Sequence, residues 1–203
     1  IVPDDEYGAA LAIRHLARLG HRRIAMIKGR QGWHSAERRF HGYQAELAAQ
    51  SIPFNAELVQ QGGWEYEGGY HATRQLLMTD PRPTAIFASN DVMALGAICA
   101  IQDAGLSVPE DVAVVGYDNR DFSRIVRPRI TTVSMPVYEM GYTAAELLLK
   151  QIAGGRQAFD EIKIKGRLFI RESCGADPAR RTEDGLDMAT TTRRILLHKD
   201  PDN

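Results

Sequence analysis

Two patterns of apolar and polar positions alternate along the chain. In five stretches, apolar side chains recur every three or four residues, which predicts amphipathic helices. Short runs, most of them fully apolar, separate these stretches, as in parallel strands that are buried on both faces. The helices are predicted at residues 4–19, 36–50, 65–78, 90–105 and 136–153, and the strands at 24–27, 57–61, 85–88, 112–117 and 130–135. This alternation predicts an α/β fold with a doubly wound parallel sheet.

The stretch from Thr84 to Asn119 contains one β-α-β unit with polar residues after each strand. Ser89 and Asn90 follow the first strand and are suited to cap the helix that begins there. Asp118 and Asn119 follow the second strand. Asp91 completes the first polar cluster and suits the positive end of the helix dipole. Because ligands bind at the carboxyl ends of the strands in open α/β sheets, the two clusters, residues 89–91 and 118–119, predict a binding site.

The pattern changes towards the end of the chain. Alternating apolar and polar residues predict an edge strand or a hairpin that turns at residues 165–166. The apolar members are Ile162, Ile164, Leu168 and Ile170. Residues 176–203 have no sustained period, and we expect a weakly ordered tail there.

Composition excludes several classes of function. The 203 residues include 25 Lys and Arg against 26 Asp and Glu, so no overall positive charge predicts DNA binding by this segment itself. No apolar run reaches the roughly 18 to 20 residues that a membrane span needs. The cysteines and histidines lack metal-binding spacing, and no nucleotide loop or nucleophile motif is present. We therefore expect no metal, no cofactor and no catalytic residues, and reduced thiols in the cytoplasm.

Five stretches, in this order, resemble the lactose/galactose-repressor (LacI/GalR) family of bacterial transcription regulators. They are HLARLGHRRIAMIKG, SAERRFHGYQAEL, PTAIFASNDVMALGAICAIQDAGLSVPEDVAVVGYDN, PRITTVSMPVYEMGYTAAELLL and GRLFIRES. The resemblance covers residues 1–174. It implies a type I periplasmic-binding-protein-like effector domain with two doubly wound parallel-sheet lobes, a small molecule in the cleft between them, and a homodimer.

The resemblance also implies which parts of such a protein this sequence contains. The helix-turn-helix and the first part of the N-terminal lobe are expected upstream, so operator DNA would be bound only through that missing N-terminal domain. The protein is expected in the cytoplasm, with no membrane partner. The implied division is 1–22 in the N-terminal lobe, 23–130 in the C-terminal lobe, 131–155 returning to the N-terminal lobe, 156–175 as closing strands of the C-terminal lobe, and the tail 176–203.

Effector-binding positions of the family fall on several residues of this sequence. Arg39, Asn90 and Asp118 match its polar positions, and Trp64 matches an aromatic wall. Two residues of a variable loop that often contacts ligand, and two weaker candidates, complete the implied set. These are Ser35 and Trp33, and then Phe122 and Met135.

The chemistry of this set favours a sugar. A guanidinium group donates, an amide both donates and accepts, and a carboxylate accepts, which together suit paired hydroxyl groups. An indole face packs against the C–H side of a sugar ring. A purine is the less favoured alternative.

Each candidate residue also has a purely structural interpretation. Asn90 could only cap its helix, Asp118 could only cap its loop, and Arg39 could be a solvated helix charge. Trp64 and Trp33 could be ordinary packing residues. Two other functions remain open. One is a sugar-binding protein of a transport system with the same fold, which a signal peptide would indicate. The other is an enzyme, such as a flavodoxin-like phosphoacceptor module that uses Asp118 or a nucleotide-binding protein, which detectable turnover would indicate.

Overall fold

The computed structural model describes residues 1–154, 161–177 and 179. Within them, the helices are α1 (Asp5–Arg18), α2 (His34–Ala49), α3 (Tyr66–Leu77), α4 (Asp91–Asp103) and α5 (Val137–Ile152). The strands are β1 (Val2–Pro3), β2 (Ile24–Lys28), β3 (Val59–Gln61), β4 (Ala85–Ala88), β5 (Ala113–Asp118), β6 (Thr131–Ser134), β7 (Lys163–Ile164) and β8 (Leu168–Phe169). The predicted α/β alternation is confirmed, with helix and strand ends close to the expected positions.

One six-stranded sheet organises the chain, in the order β3-β2-β4-β5-β6-β8. Its first five strands are parallel, and β8 joins the edge antiparallel to β6. The strands in the middle of the sheet are fully buried, which explains their uninterrupted apolar runs. The carboxyl ends of β2, β4 and β5 therefore meet at one edge of the sheet.

Two helices cover each face of this sheet. On one face, α1 and α2 pack against the strands through a core that includes Leu16 and Tyr43. On the other face, α3 and α4 form a second core that includes Leu76 and Ile98. This is the doubly wound arrangement that the helix and strand periods predicted.

The expected assignment of residues 1–22 to a separate lobe is wrong for helix α1. Ile13 and Leu16 are completely buried in the same core as the strands, and α1 packs along α2. The expected return to the other lobe at residue 131 is also too early, because Thr131–Ser134 pair with β5 in the main sheet. An amphipathic period shows that a helix has a buried face, but it does not show which sheet that face covers.

Within the described part of the chain, helix α5 does not pack against the main sheet and its four covering helices. None of its described residues is buried, and Leu148, Leu149 and Ile152 are between 57% and 73% exposed. The assignment of α5 to another lobe stays a prediction. None of the described helices is long and apolar enough to cross a membrane.

The end of the described chain differs from the predicted hairpin. Strand β7 pairs with β1 in a separate two-stranded parallel sheet, whereas β8 forms the edge of the main sheet. The hairpin alternative is therefore wrong, and the edge-strand alternative holds for β8. Of the predicted tail, Ala176 is buried in the core beside α1, and residues 178 and 180–203 lie outside the described residues.

Candidate functional site

A cavity of about 400 Å³ opens at the carboxyl edge of the sheet, where β2, β4 and β5 end. Its walls come from the start of α2 and from the residues at or just after the ends of β2, β3, β4, β5 and β6. Its lining residues are Arg30, Trp33, Ser35, Arg39, Gly63, Trp64, Glu65, Asn90, Asp118 and Met135. All six principal candidates and Met135 thus meet around one space, although they come from segments far apart in the chain.

Asn90 has a structural role and also lines the cavity. Its side-chain oxygen accepts a hydrogen bond from the Met93 backbone N–H at 2.8 Å, which caps helix α4. Its side-chain nitrogen donates to the backbone oxygen of Trp64 at 3.0 Å. Asn90 therefore connects the start of α4 to the loop that carries the aromatic wall.

Arg39 is not a solvated helix charge. Its side chain is only 3% exposed, and its Nε lies 2.8 Å from Oδ1 of Asp5. Its Nη1 donates to the backbone oxygen of Ser89, and its guanidinium carbon lies 3.6 Å from the centre of the Tyr117 ring. The Asp5 carboxylate supplies the negative partner that a cation near the start of a helix requires.

Asp118 faces the Arg39 guanidinium from the end of β5. Its Oδ1 lies 3.6 Å from Nη1 of Arg39, and its side chain is 23% exposed. Burial raises the pKa of Asp118 to about 6, against the opposing effects of Arg39 and Arg120. The site therefore holds a carboxyl group whose charge changes close to neutral pH.

Two indole rings form the apolar wall. The ring centres of Trp33 and Trp64 lie 6.3 Å apart with an angle of 57° between the planes. Trp33 is 54% exposed, whereas Trp64 fills the space beside Gly29, where a Cβ would lie 2.1 Å from the ring. Trp64 is thus a fixed wall, and Trp33 lies closer to solvent.

Sequence reasoning missed four residues of this region. Arg30, Gly63 and Glu65 line the cavity. Asp5 does not line it, but its carboxylate accepts a hydrogen bond from Nε of Arg39. Gly63 and Glu65 flank Trp64 in the sequence, and Arg30 belongs to the same loop as Trp33, so proximity to the named candidates was their signal. The burial of Asp5 was not predictable from its position, because a carboxylate in the first turn of a helix is usually solvated.

Phe122 does not line this cavity. It lies beside a neighbouring cavity of about 840 Å³, which shares Asp118 and Met135 with the first. Across the described residues, His, Cys, Asp and Glu side chains form no group of three or more that could hold a metal ion. The residues that line the first cavity offer hydrogen bonding, charge and aromatic packing.

Comparison with known proteins agrees with this architecture. Residues 13–174 match the family described as the periplasmic binding protein-like domain. The HTH-type transcriptional repressor PurR of Yersinia pestis (strain Pestoides F) is 39% identical over 173 residues, which are 85% of this chain and 51% of that repressor. This chain thus spans about half the length of such relatives.

Solved structures give the same result. A complex of the transcriptional regulator CelR with cellobiose has a TM-score of 0.79 at 36% identity, over 84% of this chain and 52% of that one. A lac repressor dimer bound to operator and the anti-inducer ONPF has a TM-score of 0.79 at 33% identity, over 86% of this chain and 52% of that one. These relatives are transcriptional regulators rather than enzymes. The chain belongs to the periplasmic binding protein-like domain family, in the form found in LacI-family transcriptional regulators.

Proposed function

We propose that this chain is the effector-sensing and dimerisation part of a bacterial DNA-binding transcriptional regulator. A small molecule binds in the cavity beside Asp118 and changes the operator affinity of a DNA-binding domain elsewhere in the protein. The observation that carries the proposal is the meeting of Arg39, Asn90, Asp118 and Trp64 around one cavity. Separate polar groups and a rigid aromatic wall that converge on one concave surface are typical of a small-molecule site.

The effector in this proposal is an uncharged sugar. The lining cations Arg30 and Arg39 are balanced by Glu65 and Asp118, so the walls favour no net ligand charge. The 3.6 Å separation between Arg39 and Asp118 exceeds a direct hydrogen bond. A ligand hydroxyl can accept a hydrogen bond from the guanidinium and donate one to the carboxylate, while a sugar ring packs on Trp64. The cellobiose complex of the CelR relative supports this class.

Helix α5 can transmit the conformational effect of ligand binding to the DNA-binding domain. This helix leaves the body directly after β6, next to Met135 in the cavity wall, and its apolar residues are exposed. We propose that they pack in a second lobe that closes over the ligand. The ligand then favours the closed state by its differential contacts, and the lobe carries this change to the DNA-binding domain.

The assembly in this proposal is a cytoplasmic homodimer. The lac repressor relative is a dimer bound to operator, which supports two copies acting together. A DNA-binding function also requires the compartment that contains the DNA. The alternative of a sugar-binding protein for transport has less support, because the relatives are repressors and regulators.

Thermal-shift measurements with cellobiose, ribose and hypoxanthine test the proposal. A ligand that binds only the folded state raises the melting temperature. We expect a sugar to stabilise the wild-type protein and to have no effect on Asp118→Ala or Asn90→Ala. Equal stabilisation of the wild type and both variants would place the ligand elsewhere, and stabilisation by hypoxanthine alone would assign the site to a purine.

A further inference from the structure

Two consecutive residues at the end of β5 have a left-handed backbone. Asp118 has a φ of 106° and Asn119 a φ of 55°. Such conformations are unfavourable for a non-glycine residue and persist only where surrounding contacts hold them. Because Asp118 lines the cavity, the groups that hold this backbone also determine where its carboxylate points.

Two fully buried side chains lie beneath this turn and hold it. Oδ2 of Asp91 accepts the backbone N–H of Arg120 at 2.7 Å. The hydroxyl oxygen of Thr132 accepts the backbone N–H of Asn119 at 3.3 Å and donates its own proton to Oδ1 of Asp91 at 2.5 Å. Asp91 and Thr132 thus fix the two amides that directly follow Asp118.

The strand itself leaves room for this arrangement. A Cβ on Gly116 would lie 2.3 Å from Oδ1 of Asp91, so the carboxylate occupies the space of a missing side chain. Burial raises the pKa of Asp91 to about 7, and the hydrogen bonds from Thr132 and from the Arg120 N–H lower it. Asp91 also follows Asn90 directly in the sequence. It therefore connects the two places where Asn90 and Asp118 enter the cavity wall.

We propose that Asp91 and Thr132 are positioning residues of the effector site. Through the amides of Asn119 and Arg120, they aim the Asp118 carboxylate at the cavity. Neither residue lines the cavity, so their effect on a ligand is transmitted through the backbone. The inference rests on the proposed function, in which Asp118 binds the effector.

Substitutions at residue 132 separate positioning from general stability. Thr132→Val keeps the side-chain shape but removes the hydroxyl, and Thr132→Ser keeps the hydroxyl. Ser173→Ala is the matched control, because Ser173 is also fully buried and its hydroxyl also accepts a backbone N–H. Its hydroxyl accepts from the Thr131 N–H at 2.9 Å and donates to the Val114 oxygen at 2.6 Å, near the opposite end of β5 from the cavity.

Two measurements on each variant decide the proposal. The first is hydrogen exchange of the Asn119 and Arg120 amides, observed by NMR. The second is the dissociation constant for cellobiose and for hypoxanthine, followed by tryptophan fluorescence, since the only two tryptophans of the chain both line the cavity.

For Thr132→Val, we expect amide exchange at residues 119 and 120 to accelerate and ligand affinity to fall, each by about tenfold. Thr132→Ser restores both, and Ser173→Ala changes neither. Unchanged exchange in Thr132→Val, or an equal loss of affinity in Ser173→Ala, overturns the proposal. If the wild type binds neither probe, the proposed function fails, and the exchange rates alone decide whether Thr132 holds the turn.

Discussion

Arg39 and Asp5 form a buried ion pair, with Nε of the arginine 2.8 Å from Oδ1 of the aspartate. The pair joins helix α2 to the first turn of α1 directly below the proposed effector site. Because both side chains are almost completely excluded from water, each charge needs a nearby partner of opposite sign, and the pair supplies it through a direct hydrogen bond. The same guanidinium faces Asp118, so the pair links the packing of two helices to the chemistry of the cavity.

Asp5→Asn should therefore destabilise the protein strongly. Removal of one partner from a buried pair costs about 3–5 kcal/mol. Here Arg39 would lose its hydrogen-bonded carboxylate and keep only the more distant Asp118. Urea denaturation of wild type and variant measures this difference. Glu46→Gln is the control, because the Arg14–Glu46 pair joins the same two helices but Arg14 is 38% exposed. We expect about 1 kcal/mol there, and equal losses in the two variants would contradict the role given to burial.

Effector affinity should depend on pH through Asp118. Its pKa is raised to about 6, so the carboxylate that accepts a ligand hydroxyl is present above this pH and is lost below it. We expect affinity for cellobiose to rise between pH 5 and pH 7, by up to about tenfold per unit below the pKa. Titrations at a series of pH values measure this profile, and Asp118→Asn should flatten it.

The same shift has the opposite consequence for stability. The folded protein keeps the Asp118 proton up to about pH 6, whereas the unfolded chain loses it near the ordinary value of 3.8. The folded state thus binds more protons in this window, and the contribution of Asp118 to stability falls by up to about 3 kcal/mol as pH rises through it. Chemical denaturation of wild type and Asp118→Asn at both ends of the window checks the sign. If the wild type gained stability relative to Asp118→Asn as the pH rises, the predicted sign would be wrong.

The two tryptophans should contribute unequally to ligand binding. Trp64 is fixed against Gly29, whereas Trp33 is 54% exposed and must be ordered by the ligand. We expect Trp64→Ala to weaken cellobiose binding by about tenfold or more, and Trp33→Ala by only a few-fold. Isothermal titration calorimetry measures both constants. A larger effect of Trp33→Ala would indicate that the sugar binds nearer the solvent-exposed opening of the cavity.

Gly116→Ala should disturb the site without touching it. The added methyl group would displace the Asp91 carboxylate, so we expect a loss of about 1–3 kcal/mol in stability. We also expect faster exchange of the Arg120 amide. Gly141→Ala is the control, because a Cβ there meets no atom within 4 Å in the described structure. Unfolding and amide-exchange measurements on both variants decide whether the close approach at Gly116 matters.

Local patterns predicted the scaffold well. The apolar runs of β2 and β4 and the helical periods gave the sheet and its helices, because burial of both faces leaves a clear signal in the sequence. Asn90 and Asp118 were predictable for a related reason. They directly follow strands, and the carboxyl ends of parallel strands lie together at one edge of the sheet.

Long-range partners were not predictable in this way. The Asp5–Arg39 pair joins residues 34 positions apart, and nothing in the first turn of α1 indicates burial. The pairing of β7 with β1 involves only two residues on each strand, which is too short for a period. The lobe boundaries failed for the same reason, since the side of the sheet that a helix covers is decided by tertiary packing.

Saturation-transfer NMR with cellobiose and hypoxanthine tests the central claim most directly, because it also detects weak binding. We expect signals from cellobiose with the wild-type protein, strongest for the C–H protons that pack on Trp64, and their loss in Asp118→Ala. Sugar signals that persist unchanged in Asp118→Ala, or signals from hypoxanthine alone, would contradict a sugar site at Asp118.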